Sequence, residues 1–148
     1  MNYVFRLAVP SDAEACSQII QDWGDETPWM VPLDNLAPMK EFWSFIFEEE
    51  IGWVAHRNGQ ILGFCARTED NITGLYVAKK ARGKGLGKAL LDLAKEDQQW
   101  ITVWAYEKNE DARRFYRREG LIEIGREMEV FEDGSSLMDI EHRWTRAE

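Results

Sequence analysis

Residues 72–91, Ile-Thr-Gly-Leu-Tyr-Val-Ala-Lys-Lys-Ala-Arg-Gly-Lys-Gly-Leu-Gly-Lys-Ala-Leu-Leu, change their hydrophobic period in mid-course. Up to Val77 they read as a strand, and from Leu86 the apolar positions Leu86, Ala89, Leu90 and Leu93 fall on one helical face. Gly83, Gly85 and Gly87 stand at the switch, where they permit backbone conformations closed to other residues and let amides approach a ligand closely. Amides gathered at a helix N-terminus favour an anion such as a pyrophosphate, and Arg82, Lys84 and Lys88 add mobile positive charge. A solvent-exposed turn rich in glycine and cations is the competing reading, and the strand and helix on either side favour phosphate. Two better-known phosphate patterns fail on spacing. G-x-G-x-x-G needs glycine where Lys88 stands, and the G-K-[ST] ending finds no hydroxyl after Lys84 or Lys88.

The rest of the chain supplies the frame for this unit. Residues 3–8 read as a strand stopped by Pro10. Ser11 and Glu14 have capping-box spacing before a helix carrying Ala15, Ile19, Ile20 and Trp23, expected to run to residue 22 or 23. Pro28, Pro32 and Pro38 mark residues 24–39 as an irregular excursion, the kind of loop that carries substrate contacts, before a helix over 40–50. Strands over 51–57 and 60–67 flank Asn58-Gly59, which suits a two-residue hairpin turn. A strand over 72–77, the helix from Leu86, a strand over 100–106 and a helix over 110–119 ended by Gly120 follow. Strands over 122–131 and 137–144 around Asp133-Gly134 close the chain.

With 148 residues, 45% of them hydrophobic and 30% charged, the chain reads as one folded domain spanning 1–148. Its net charge of −9 argues against a nucleic-acid partner and suits a cationic one, an amine or a basic peptide. No apolar run approaches the roughly 20 residues of a membrane helix. Cys16 and Cys65 form no CxxC pair and no signal-like segment opens the chain, so a reducing cytoplasmic location is expected. His56 and His142 are isolated and nothing has metal-ligand spacing, so no metal is expected.

Arg82, Gly85 and Gly87 spell R-x-x-G-x-G after the strand residues Leu75-Tyr76-Val77. In this the chain resembles the GCN5-related N-acetyltransferases, the GNAT family. Asn109 to Tyr116, with Gly120-Leu121, is similar to that family's N-x-x-A-x-x-F-Y-x-x-x-G-F signature. Element order agrees along nearly the whole chain, with strong residue matches from Leu75 to Leu121. Two departures are Lys79, where the family often has proline, and Leu121, where it has phenylalanine. The resemblance implies an α/β (α+β) fold: a central mixed, mostly antiparallel sheet of about seven strands flanked by about four helices, splayed between the fourth and fifth strands. Acetyl-CoA would lie in the splay as acetyl donor. By the same resemblance Leu75, Tyr76 and Val77 would pair with pantetheine. The amides from Gly83 through Lys84, Gly85, Leu86 and Gly87 to Lys88, with Arg82, would hold the pyrophosphate. Asn109 would contact the pantetheine arm, and Tyr116 would sit near the thioester sulfur as the acid that protonates it.

The activity so implied is transfer of acetyl from acetyl-CoA to a primary amine by direct attack, the acceptor being a small molecule or, alternatively, a protein N-terminus or lysine. A non-catalytic acyl-CoA-binding or regulatory module is the alternative from another class. For the proton the amine must lose, Glu69 and Asp70 are candidates beside a water chain or no protein base at all. Cys65, in an apolar strand, reads as a buried thiol. The aromatic cluster Trp23, Trp29, Phe42, Trp43, Phe45, Phe47 and Trp53 has three readings: core, substrate wall, or the surface of a homodimer. Asp25 and Glu26 beside Trp29 are candidates for a cationic acceptor, with a solvated loop as the alternative.

Overall fold

In the computed structural model, which describes residues 2–33 and 35–148, eleven principal elements follow one another. They are β1 (Val4–Leu7), α1 (Ala13–Asp25), α2 (Leu36–Glu49), β2 (Ile51–Arg57), β3 (Gln60–Thr68), β4 (Asn71–Val77), α3 (Leu86–Lys95), β5 (Trp100–Tyr106), α4 (Glu110–Arg118), β6 (Ile122–Val130) and β7 (Ser136–Thr145). The strands make one seven-stranded sheet in the order β1-β2-β3-β4-β5-β7-β6. Each neighbouring pair is antiparallel except β4 and β5. That pair is parallel because α3 carries the chain back across the sheet between them, the connection a parallel pair requires. The mixed, mostly antiparallel sheet with helices on both faces matches the expected fold.

Strand alternation divides the interior into two cores. Ala55, Cys65, Ile72, Ile101 and Val103 face α3 and α4, where they bury Leu86, Leu90, Leu91 and Tyr116. Val54, Phe64 and Ala66 face α1 and α2 and pack on Ile19, Ile20, Trp43, Ile46 and Phe47. Each large aliphatic or aromatic side chain so buried contributes roughly 1.5–3 kcal/mol. Trp43 presses so closely on β4 that a Cβ at Gly74 would stand 2.7 Å from its ring, which explains a glycine within that strand.

Three boundaries differ from the sequence reading. Asp12, not Ser11, organises the start of α1: its carboxylate accepts the Val9 N–H at 2.9 Å and both arms of Arg6 at 2.8 and 2.9 Å. α1 itself runs on to Asp25. α2 begins at Leu36, four residues before its predicted start, with Pro38 inside its first turn. There a missing N–H removes no helical hydrogen bond, so the proline that reads as a breaker is tolerated. The irregular excursion shrinks accordingly, and Asp34 within it lies outside the described residues. The hairpin turn forms as expected, with Asn58 at φ 52° and Gly59 at φ 77°.

Candidate active site

The site exists because β4 and β5 part company. They are in register only at Asn71 with Thr102 and Ile72 with Val103. Against β3, Ala66 pairs with Gly74 and Arg67 with Ile72, which leaves Thr73 as an extra residue in β4. Such a bulge bends its strand and raises its twist, and beyond it β4 swings away from β5. Ala78 N–H donates to Leu62 O at 2.8 Å, so alternation turns Tyr76 toward β3 and leaves the backbone groups of Leu75 and Val77 on the open edge. The sequence offered all three residues equally. A cleft of about 850 Å³ lies along this edge.

The glycine-rich turn forms one end of the cleft. Gly83 (φ 76°) and Gly85 (φ 81°) are left-handed, and Gly85 caps the start of α3. The first intrahelical bond runs from Ala89 N to Gly85 O, so the amides of Leu86, Gly87 and Lys88 have no acceptor within the helix. Gly87 is already helical, and its missing side chain leaves space toward Phe115, 3.5 Å from where its Cβ would be. These backbone features suit an anion. The side chains are less uniform. Leu86 is core, Lys84 Nζ donates to Lys80 O at 3.3 Å, and Lys88 Nζ lies 3.1 Å from Glu119 and 3.4 Å from Asp92. Arg82 Nε donates to Val77 O at 2.9 Å, and its Nη1 pairs with the Glu26 carboxylate.

α4 forms the facing wall. Asn109 caps that helix, its Oδ1 accepting the Ala112 N–H at 3.2 Å, and both residues line the cleft with Phe115 and Tyr116. The Tyr116 ring packs on His142, 5.6 Å between centroids, and only 5% of the residue is exposed. Burial, reinforced by Cys65 and Tyr76 nearby, pushes its phenol above the ordinary value, so it holds its proton throughout the neutral range. Cys65 itself is wholly buried and its thiol is pushed up to about 12 by burial, the opposite of a nucleophile's surroundings. His142 is kept neutral in the same way: burial lowers its pKa.

On the other face of the sheet an aromatic chain crosses the gap between the splayed strands. Phe64 stacks on Tyr76, Tyr76 meets Trp23, Trp23 meets Trp29, and Trp29 reaches Tyr106 on β5, with centroids 5.7 to 6.2 Å apart. Tyr106 donates to Glu129 at 2.7 Å. Its register partner Asp139 has a carboxyl lifted to about 6, by burial first and then by the charges of Glu129 and Glu127. The single predicted aromatic cluster therefore separates. Trp43, Phe47 and Trp53 are core, Trp23 and Trp29 line the cleft, and Phe42 and Phe45 are exposed.

Of the acceptor candidates, Glu26 and Trp29 line the cleft, whereas Asp25 is exposed at the end of α1. Glu69 and Asp70 sit in the turn before β4, where Asp70 O accepts the Thr102 N–H. Val77 is then roughly 20 Å further along the strand, so neither acid reaches the cleft. Sequence reasoning missed the cleft-lining role of Trp23 and Phe115, because helical spacing marks both as packing residues and nothing local shows that the facing strands diverge.

The acetyltransferase (GNAT) domain model matches residues 48–121. The peptidyl-lysine N-acetyltransferase YiaC of Escherichia coli (strain K12) is 26% identical over 107 residues, 69% of this chain and 73% of that protein. The 5-NmdU N-acetyltransferase of Pseudomonas phage PaMx11 is 39% identical over 84 residues, half of this chain and 60% of its own length. Among solved structures, apo YjaB from Escherichia coli superposes with a TM-score of 0.79 at 23% identity, covering 99% of this chain and all of that one. YncA from Salmonella typhimurium, solved with acetyl-CoA, gives 0.75 at 19%, covering 100% and 96%. At these identities the structural likeness concerns the fold.

Proposed function

This chain belongs to the GNAT acetyltransferase family, and on that premise we propose that it moves an acetyl group from acetyl-CoA to a primary amine by direct attack on the thioester. Acetyl-CoA-dependent acetyl transfer follows from the family; the acceptor and the residue roles are the proposal. The observation that carries it is the convergence of three features on one cleft: the open edge at Leu75 and Val77, the unbonded amides of Leu86 to Lys88, and the protonated phenol of Tyr116.

In this reading the α3 amides and Arg82 hold the pyrophosphate, and the β4 edge aligns the pantetheine beside Asn109. The neutral amine nitrogen attacks the thioester carbon, and the oxygen that gains charge accepts from a backbone N–H of that edge, Leu75 or Val77. The carbon–sulfur bond breaks, Tyr116 gives its proton to the departing sulfur, and the proton shed by the amine returns to the phenolate through water. The acceptor enters over Trp23, Trp29 and Glu26, where aromatic faces and a carboxylate suit a cation, in keeping with the net charge of −9. YiaC is named for a peptidyl lysine, which makes a lysine peptide the first acceptor to try.

The test is release of free thiol from acetyl-CoA across lysine peptides, peptide N-termini and small amines. Thiol release that depends on the amine, with the acetylated amine as product, is the expected result. Tight CoA binding with no turnover on any amine would instead support the non-catalytic module.

A further inference from the structure

Arg82 and Glu26 are 56 residues apart in sequence, and their ion pair joins the two sides of the cleft. Arg82 belongs to the turn that leads into α3. Glu26 begins the segment between α1 and α2 that carries Thr27, Pro28 and Trp29, and all of these residues line the cleft. The guanidinium is spread over two acceptors, with Nε on Val77 O at 2.9 Å and Nη1 on the Glu26 carboxylate. Two other cations of the turn have partners of their own: Lys84 lies on Lys80 O, and Lys88 lies on Glu119 and Asp92. Arg82 lines the cleft together with Lys79 and Lys88, and its charge is the one already shared with a carboxylate from the opposite side of the cleft.

Resting on the acetyl-CoA reading above, we propose that Glu26 is a positioning residue that competes with the donor's pyrophosphate for Arg82, and so links donor binding to the acceptor-side segment. A phosphate arriving at the amides of Leu86 to Lys88 brings negative charge to the same guanidinium. As Arg82 turns to it, Glu26 is released beside Trp29, where a free carboxylate is available to an ammonium group. Linkage makes the effect reciprocal: an acceptor cation that takes up Glu26 leaves Arg82 to the donor, so each substrate raises affinity for the other.

Both side chains are partly exposed, which limits the size of the effect. An ion pair of this kind changes affinity about two- to fivefold. The experiment is a double-mutant cycle read by calorimetry with CoA, on the wild type, Glu26→Gln, Arg82→Gln and the double variant, with a thermal melt to verify folding. Glu26→Gln should tighten CoA about two- to fivefold, Arg82→Gln should weaken it, and adding Glu26→Gln to Arg82→Gln should change nothing further. Glu26→Asp, which keeps the charge, should restore wild-type affinity at least in part. Two results overturn the proposal: Glu26→Gln that binds CoA no more tightly, or one that tightens it equally without Arg82, which would mean a general field effect of the carboxylate. A wild type that binds no CoA overturns the donor reading itself, so the two failures are distinguishable.

Discussion

Replacing Gly85 by valine separates the cost of strain from the loss of a binding site. A Cβ at Gly85 would meet nothing within 4 Å, so the substitution brings no clash. Its cost is conformational, since φ is 81° and a β-branched residue disfavours the left-handed region by about 1–3 kcal/mol. Against the roughly 5–15 kcal/mol of a typical domain the chain stays folded, and its Tm falls by about 3–10 °C. Affinity should suffer far more. If relief of the strain swings the turn away from left-handed geometry, two or more amide–phosphate bonds are lost at about 1.5–3 kcal/mol each, which is about 100-fold or more in the Kd for CoA. Gly87→Ala is the matched control. That position is helical, and the added methyl would make ordinary contact with Phe115 at 3.5 Å. Alanine there should raise stability by about 0.5–1 kcal/mol through helix propensity. Calorimetry with CoA and thermal melts on both variants provide the readout. A folded Gly85→Val protein in which the amide chemical shifts of Leu86 to Lys88 show that the turn has moved, yet whose CoA affinity stays within about threefold of wild type, would refute the anion cradle.

Tyr116→Phe keeps the buried ring and removes the proton, so kcat should fall by about 10²- to 10⁴-fold with Tm and CoA affinity near wild type; an unchanged kcat with chemistry rate-limiting rejects the acid role, and a fall in Tm instead makes the tyrosine structural. Trp29→Ala removes the link between Trp23 and Tyr106 and should raise the acceptor KM while CoA affinity holds; an unaltered acceptor profile returns the segment to a solvated loop. Asp139→Asn tests the raised carboxyl near Tyr106. Its folded pKa of about 6 lies above the ordinary value of 3.8, so the protonated form is the one the fold favours, and this contribution disappears as pH rises from about 4 through 6. The asparagine variant should therefore be more stable at pH 7, by less than about 1 kcal/mol given the partial exposure, with the gain vanishing near pH 4. A gain of equal size at both pH values would assign it to something other than ionisation.

Local chemistry accounts for what the amino-acid order determines by itself. Asn58-Gly59 takes up positive φ angles because those two residues tolerate them, and Gly83 and Gly85 do the same before α3. The strand up to Val77 and the helix from Leu86 follow from periods of two and 3.6 residues. These interactions span a few positions, so one sequence suffices to read them, and the proposed donor site rests on the motif around them. The partners of the acceptor side could not be read this way, because each is set by a meeting of distant segments. Pro38 turns out to sit within the first turn of a helix instead of preventing one, since tertiary packing decides where a first turn lies. The backbone groups of Leu75 and Val77 lie on the open edge while those of Tyr76 turn to β3, because the register against β3 assigns each backbone group to one edge. The chain from Phe64 to Tyr106 bridges the gap left where β4 leaves β5 after Ile72, and it, the pairing of Glu26 with Arg82 and the core burial that holds the proton on Tyr116 are contacts between distant segments that only the assembled fold produces.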